Sequence, residues 1–207
     1  DESCKKILDN KIRLGLFQDK FVNENLTNVN TQEEQELSQQ IADESITLVK
    51  DDFDLINSES INIIPINTIK DSESDEIFIK EFTAMFENKK INFPLENFKD
   101  LNSETIIIPV FSKVLFKSGT AKIPQEYIDM INTFAINNKV LVISFGNPYL
   151  LKDFPNIGGY ICAYGDSETS IKAAIKVLKG TIPAKGKLPI TISDKYTLGF
   201  GINKILK

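Results

Sequence analysis

The chain has 207 residues, of which 42% are hydrophobic and 26% are charged, with 10 glycines and 8 prolines. This composition is typical of a globular protein and excludes a disordered or low-complexity chain. A complete (β/α)8 barrel normally needs about 250 residues, so the length also argues against one. No apolar run reaches the roughly 18 residues that a membrane-spanning helix requires, and no membrane span is expected.

Histidine is absent, and cysteine occurs twice, at Cys4 and Cys162. Without histidine the chain has no imidazole general base, no Ser-His or Cys-His pair and no imidazole metal ligand. Two cysteines so far apart predict neither a disulfide framework nor a thiolate zinc site. We therefore expect no metal and no cofactor. Cys162 alternates into an apolar strand and is interpreted as a buried structural side chain.

The net charge of −5 is unevenly distributed along the sequence. Residues 18–110 hold 20 acidic and 7 basic residues, whereas residues 170–207 hold 8 lysines and the single acid Asp194. The lysines are spread singly through apolar-periodic segments, and Arg13 is the only arginine, so nucleic-acid binding is not expected. Neither the G-x-G-x-x-G nor the P-loop pattern occurs, which also argues against nucleotide binding.

The first residues predict a short helix. An apolar stripe at helical spacing consists of Cys4, Ile7, Leu8 and Ile12. Gly15 then stands where a left-handed residue ends a helix. Because the sequence starts at Asp1 without an initiator methionine or a signal-peptide profile, we expect the chain to be processed or cut from a larger protein.

A linker and a second helix are predicted next. Residues 18–30 are polar, rich in asparagine and without a clear period, which indicates an extended linker. Thr31 and Glu34 have the spacing of a capping box. The helix that they begin is predicted to continue to about Val49.

From residue 60 onward, short apolar runs alternate with helical stripes. Strands are predicted over residues 61–66, 105–111, 140–145, 159–164 and 188–192. Helices are predicted behind a Ser72-x-x-Asp75 cap, after Pro124 and before Gly180. This alternation predicts an α/β fold: an open, mostly parallel sheet with helices on both faces, a flavodoxin-like three-layer sandwich.

Polar residues follow three of these strands, at the end of the sheet where such folds bind ligands, and Ser112 and Lys113 follow strand 105–111. Asn147 and Tyr149 come after one strand, and Asp166 and Glu168 come after the next. These four residues are candidates for a substrate rim or a domain interface. Helix capping explains the same residue types, since Asp166 or Ser167 can cap a helix that has Glu168 in its first turn. Both interpretations stay open from the sequence.

Four segments in the correct order resemble the C-terminal α/β sandwich domain of glycoside hydrolase family 3. Residues 160–191 are similar to the end of that domain, with a small-residue helix, a Leu-Lys-Gly stop and the run Gly-Lys-Leu-Pro-Ile-Thr. Residues 144–150 resemble a strand and turn of its bacterial β-N-acetylglucosaminidase branch. Residues 41–50 are similar to the first sandwich helix, and residues 11–17 to the last barrel helix and the exit from it.

The resemblance implies an accessory domain that follows a catalytic barrel. Residues 1–17 would be the tail helix of that barrel, residues 18–30 the linker and residues 31–207 the sandwich. The implied parent hydrolyses terminal β-linked N-acetylhexosamine or glucose, and this domain meets carbohydrate only through it. The nucleophile and the acid/base of that branch lie on the barrel, so no catalytic residue is assigned to this chain.

The branch and one alternative function follow from further residues. In the β-glucosidase branch a sandwich glutamate can serve as the acid, but residues 111–120 contain no Glu or Asp. This departure favours the β-N-acetylhexosaminidase-like branch. The alternative is a free-standing flavodoxin-like module that binds a small molecule or a protein.

Overall fold

The computed structural model describes residues 1–19, 29–52, 58–93, 101–102, 104–113 and 123–206. The chain divides into two compact units, Asp1–Glu36 and Leu37–Lys207. The first unit holds helix α1 (Glu2–Arg13) and the first turn of helix α2 (Gln32–Ser45), and the second unit holds the remaining elements. Most of the predicted linker lies outside the described residues, and the domain boundaries predicted from the sequence stay predictions.

The first unit confirms the local signals at its helix ends. Gly15 has a φ of +70°, the left-handed conformation expected of a residue that ends a helix. At the start of α2, the Thr31 N–H donates to Glu34 Oε2 at 2.8 Å. The Glu34 N–H donates in return to Thr31 Oγ1 at 3.3 Å. Both bonds of the predicted capping box are therefore present.

The second unit is built on a sheet. Its strands are β1 (Thr47–Asp51), β2 (Ser60–Ile63), β3 (Ile66–Asn67), β4 (Lys90–Asn92), β5 (Thr105–Phe111), β6 (Lys139–Phe145) and β7 (Gly159–Cys162). Across the described residues their order is β1-β7-β6-β5-β2-β4, with β3 paired to β5. All pairs are parallel except β1 with β7. The five strands β2 and β4 to β7 have the flavodoxin-like order, which confirms the predicted fold class.

Helices cover both faces of this sheet. They are α3 (Ser74–Met85), α4 (Gln125–Asn137), α5 (Glu168–Lys179) and a 3₁₀-helix over Pro148–Asp153. The apolar side chains of α3, α5 and the end of α2 pack in one core cluster with one face of the sheet. Those of α4 and the 3₁₀-helix pack in a second cluster against the other face. The second unit therefore has the predicted three layers.

The central strands β5 and β6 are buried on both faces. Every residue of β5 is buried, and six of the seven residues of β6 are buried. The rings of Phe111 and Phe145 close the ends of these strands and stack at 4.6 Å between centroids. Phe78 of α3 meets both rings edge-on, at 6.4 and 5.9 Å. This aromatic contact fixes α3 at the carboxyl ends of the central strands.

Pro109 explains why the predicted strand 61–66 is split into β2 and β3. The Ile107 and Phe111 carbonyls accept from the Ile64 and Thr68 N–H groups, so odd-numbered residues of β5 direct their backbone polar groups toward β2 and β3. Pro109 shares this direction but has no N–H to offer. The gap between β2 and β3 lies opposite this missing donor, and the ladder between β5 and β6 continues through Pro109 without interruption.

The predicted extension of α2 to Val49 is wrong. The helix ends at Ser45, and β1 begins at Thr47 and pairs antiparallel with β7. Leu48 has the spacing of the helical stripe, yet it lies in one core cluster while Val49 lies in the other. Adjacent residues that point to opposite cores are the signature of a buried strand, so pairing with β7 overrides the helical spacing.

The predicted strand 188–192 is also wrong, and strand β4 was not predicted. Leu188 exchanges backbone hydrogen bonds with the chain at Gly199 and Phe200, so this segment pairs locally instead of joining the sheet. Pro189 interrupts it and removes one donor. Strand β4 has three residues and is only partly buried, which leaves too short an apolar pattern to recognise.

No helix among the described residues has both the length and the apolar character needed to cross a bilayer.

Two isoleucines of α4 test whether the helix is held by its inner stripe. Ile131 is 0% exposed in the second core cluster, whereas Ile136 is 71% exposed on the same helix. We expect Ile131→Ala to lower the free energy of unfolding by about 2–5 kcal/mol, because it leaves a cavity. Ile136→Ala should change it by less than about 0.5 kcal/mol. Urea denaturation of both variants measures the difference; equal effects would contradict the described packing of α4.

Candidate functional site

The chain segments that leave β5, β6 and β7 form one polar border of the sheet, here called the carboxyl edge. It consists of residues 112–113, 146–149 and 163–168. Because these three strands are parallel neighbours, their carboxyl ends lie on the same side. Helix α5 begins at Glu168, the last residue of the third segment. All four candidate residues from the sequence lie on the carboxyl edge.

Asp166 connects two helix starts and a strand end. Its Oδ2 atom lies 3.4 Å from Lys113 Nζ, which follows β5. The hydroxyl of Ser74, the first residue of α3, lies 3.4 Å from both Oδ2 and the main-chain oxygen of Asp166. The Asp166 side chain is 25% exposed, and the Lys113 side chain is 61% exposed. Asp166 therefore bridges the edge to α3 and does not cap α5.

Ser167 and Glu168 fulfil the capping interpretation. The Ser167 hydroxyl accepts from the Ser170 N–H at 3.3 Å and caps α5. Glu168 lies in the first turn and binds Lys172 at 2.6 Å. The hydrogen bond and the positive charge of Lys172 lower the pKa of Glu168, and the same pair raises the pKa of Lys172. Glu168 thus acts as an ionised residue of the helix start.

Asn147 and Tyr149 belong to the loop after β6. The Asn147 Oδ1 atom accepts from the Tyr149 N–H at 3.0 Å, which caps the 3₁₀-helix. The Ser144 hydroxyl donates to the Asn147 carbonyl at 2.9 Å, and the Tyr160 hydroxyl donates to the Pro148 carbonyl at 3.2 Å. These bonds from β6 and β7 fix the backbone of the loop on the side that faces the sheet. The Tyr149 side chain, with Lys152 Nζ 5.1 Å from its ring centre, stays exposed.

Backbones of two edge segments approach closely at Gly146. A β-carbon placed on Gly146 would lie 2.1 Å from the main-chain oxygen of Ser112. Only glycine allows this approach. The Ser112 hydroxyl is buried beside it and finds no hydrogen-bond partner within the described part of the chain.

The structure groups the candidate residues differently from the sequence analysis. It joins Asp166 to Lys113 and Ser74, and it joins Asn147 to Tyr149. Ser74 was missed because the sequence signal assigned the cap of α3 to Ser72 and Asp75. Instead, the Ser72 hydroxyl accepts from the Ser74 N–H at 3.3 Å. The one sequence signal for Ser74 as a site residue was its position at the start of a predicted helix.

Buried ionisable groups near the edge are structural. Cys162 is fully buried, and desolvation raises the pKa of its thiol, which confirms the structural interpretation from the sequence. Desolvation also raises the pKa of Tyr160. No group of three or more potential metal ligands occurs among residues that the structure describes.

Comparison with known proteins identifies the fold. No family model matches the sequence, and a search of curated proteins returns no match. A solved β-glucoside phosphorylase, BglX bound to 2FGlc, is similar at 27% identity and a TM-score of 0.77. The match covers 92% of this chain and 38% of that chain.

Two further structures share the fold at lower identity. A glycoside hydrolase family 3 β-N-acetylglucosaminidase from Paenibacillus sp. str. FPU-7 has 19% identity and a TM-score of 0.66, covering 92% of this chain and 39% of that one. A β-glucosidase from Listeria innocua in complex with isofagomine has 14% identity and a TM-score of 0.65, covering 89% and 31%. The chain therefore shares its fold with one part of these longer enzymes, which is consistent with the C-terminal domain of a family 3 enzyme. It spans about two fifths or less of the length of each of these proteins.

Two glycines test the geometry of the carboxyl edge. We expect Gly146→Ala to destabilise the fold by about 1–3 kcal/mol, since the new methyl group would overlap a backbone carbonyl. Gly165→Ala is the control, because the atom nearest to its added methyl group is 3.7 Å away. Chemical denaturation of the two variants gives the comparison. A Gly146→Ala variant as stable as Gly165→Ala would show that the β5 and β6 segments do not meet as described.

Proposed function

We propose that this chain is the non-catalytic C-terminal domain of a longer family 3 glycosidase, which acts on a terminal β-linked N-acetylhexosamine or glucose. The observation that carries the proposal is the one-sided match to BglX, which covers 92% of this chain but 38% of the longer enzyme. That enzyme is described as a β-glucoside phosphorylase, which supports a β-glucoside substrate for the parent. The resemblance of residues 144–150 supports an N-acetylhexosamine instead.

The charges of the carboxyl edge support a non-catalytic role. A glycosidase needs one carboxylic acid whose pKa is raised, so that it stays protonated near neutral pH and can protonate the leaving group. The pKa of Glu168 moves in the opposite direction because of Lys172. Asp166 forms an ion pair with Lys113 at 3.4 Å, so its carboxyl group is already engaged within the chain. We therefore place the acid and the nucleophile on the remainder of the parent.

Helix α1 supports a partner within the parent. None of its residues is buried, although its apolar stripe has the composition of a core-facing helix. Ile7 and Ile12 are 57% and 64% exposed, and Phe17 beyond the helix end is 65% exposed. An isolated helix of 12 residues is marginal in water, and a contiguous exposed apolar surface usually marks an interface. We propose that α1 packs on the preceding barrel.

The carboxyl edge is proposed as the second surface that faces the parent. Tyr149 is 42% exposed on a loop that is fixed on the side that faces the sheet, and aromatic residues in such positions are common at interfaces and sugar-binding rims. Asn147, Asp166 and Glu168 supply polar groups on the same border. Together they would contact the barrel or complete the rim of its substrate pocket.

An activity comparison tests the assignment. We expect the 207-residue chain to release no product from an aryl β-glucoside or an aryl β-N-acetylglucosaminide, with or without inorganic phosphate. A protein that includes a preceding barrel of roughly 250 residues should release product from one of them. The phosphate arm separates hydrolysis from phosphorolysis. Turnover by the 207-residue chain alone would refute the proposal.

A pair of variants tests the docking of α1. In the longer protein, Ile12→Asp should lower the free energy of unfolding by about 1.5–3 kcal/mol or more, since it removes a buried isoleucine from the proposed interface. Ile136→Asp, on the exposed side of α4, is the control and should have little effect. In the 207-residue chain neither variant should matter. Thermal unfolding of the four proteins measures this, and an unaffected longer Ile12→Asp protein would exclude the interface.

A further inference from the structure

Tyr164 has an unusual backbone conformation on the carboxyl edge. Its φ is +63°, in the left-handed region. The other non-glycine residues with positive φ in the described ranges are Asn30 and Asp71, whose short polar side chains tolerate this region. A bulky residue there is a genuine outlier, because its β-carbon crowds the following carbonyl. Such conformations persist only where surrounding contacts hold them, and they concentrate at functional sites.

The contact that holds Tyr164 comes from the opposite strand of the β1–β7 pair. Its hydroxyl donates to Thr47 Oγ1 at 2.7 Å. Thr47 is fully buried, and its own hydroxyl donates to the Ser45 carbonyl at 3.1 Å. This chain of two hydrogen bonds ties the Tyr164 ring to the end of α2. Burial raises the pKa of Tyr164 to about 12, so the hydroxyl is a protonated donor at neutral pH.

The left-handed turn decides where the chain goes after β7. The Gly165 N–H folds back to the Ala163 carbonyl at 2.8 Å, which makes a tight reversal directly behind Tyr164. The next residue, Asp166, reaches Ser74 and Lys113. An extended residue at position 164 would continue the direction of the strand and carry Asp166 away from these partners.

We propose that Tyr164 is a positioning residue for the carboxyl edge: its hydroxyl bond to Thr47 holds the reversal that places Asp166 between Lys113 and Ser74. Tyr164 acts through the position of Asp166. This inference concerns the order of the edge in the 207-residue chain itself. Its test is therefore independent of whether the proposed glycosidase parent is correct.

Amide hydrogen exchange measures the order of the reversal. We expect Tyr164→Phe to accelerate exchange of the Gly165 and Ser170 amides by about two- to tenfold, the range for loss of one neutral hydrogen bond. Thr47→Val should accelerate it at least as much, because it also removes the bond to the Ser45 carbonyl. Exchange of the Gly158 amide, which donates to Val140 at the other end of β7, should not change. Tyr196→Phe, in a ring that packs on Phe200 at 5.4 Å, is the matched control.

Two further variants separate the proposed bond from general loss of stability. Thr47→Ser keeps a hydroxyl at the acceptor position, so the Gly165 amide should exchange as slowly in this variant as in the unsubstituted chain. The Tyr164→Phe/Thr47→Val double variant should exchange no faster than Thr47→Val alone, because the bond that Tyr164→Phe removes is already absent there. The proposal would be overturned if the two substitutions accelerated Gly165 exchange additively, or if Thr47→Ser accelerated it as much as Thr47→Val.

Chemical cross-linking reports the position of Asp166 directly. A zero-length carbodiimide couples a carboxylate only to an amine in contact with it, so it can join Asp166 to Lys113. The pair Asp43–Lys176, at 2.7 Å on α2 and α5, is the internal reference. In Tyr164→Phe we expect the Asp166–Lys113 yield to fall about two- to tenfold relative to that reference, in proportion to the exchange effect. Unchanged yield together with unchanged exchange would show that Tyr164 does not position Asp166.

Discussion

Burial of β5 and β6 on both faces is the constraint from which the rest of the second unit follows. Odd-numbered side chains of β5 such as Ile107 point into one core cluster, and even-numbered ones such as Ile108 point into the other. A strand of this kind is stable only if both of its faces are covered, so helices must lie on both sides of the sheet. The polar side chains of β5 and β6 are therefore confined to positions at or next to the ends of the strands. The carboxyl edge is the direct result.

The carboxyl edge is ordered mainly by contacts that helices need in any case. Ser167 caps α5, and Asn147 caps the 3₁₀-helix. At the start of α3, the Ser72 hydroxyl accepts from the Ser74 N–H. Each cap satisfies backbone donors that a helix start leaves unpaired. The contact between Asp166 and Ser74 is different, because it connects two separate helix starts. Capping therefore explains which residue types occur on the carboxyl edge. It does not explain the contacts of Asp166 or the chain reversal that precedes Asp166.

The sequence predicted an element correctly where a local pattern alone determined it. The run 105–111 specified a doubly buried strand, and Gly180, with a φ of +72°, ended α5 as its position predicted. It was insufficient where a distant partner decided the outcome. Leu48 fits a helical stripe, but pairing with Ile161 on β7 places it in a strand. Likewise, the sequence placed Asp166 at a helix start, but nothing in its neighbours predicted a contact with Ser74, 92 residues away.

The helices of the two units differ sharply in how many of their residues are buried. In α5, six residues are buried in the core of the second unit, so that unit has its own source of stability. In α1, a stripe of similar amphipathic character has no buried residue within its unit. Burial of an isoleucine contributes about 1.5–3 kcal/mol, and side chains such as Ile7 and Ile12 leave most of that contribution unused. The lack of burial of α1 within its own unit therefore agrees with the proposal that this helix packs on a preceding domain.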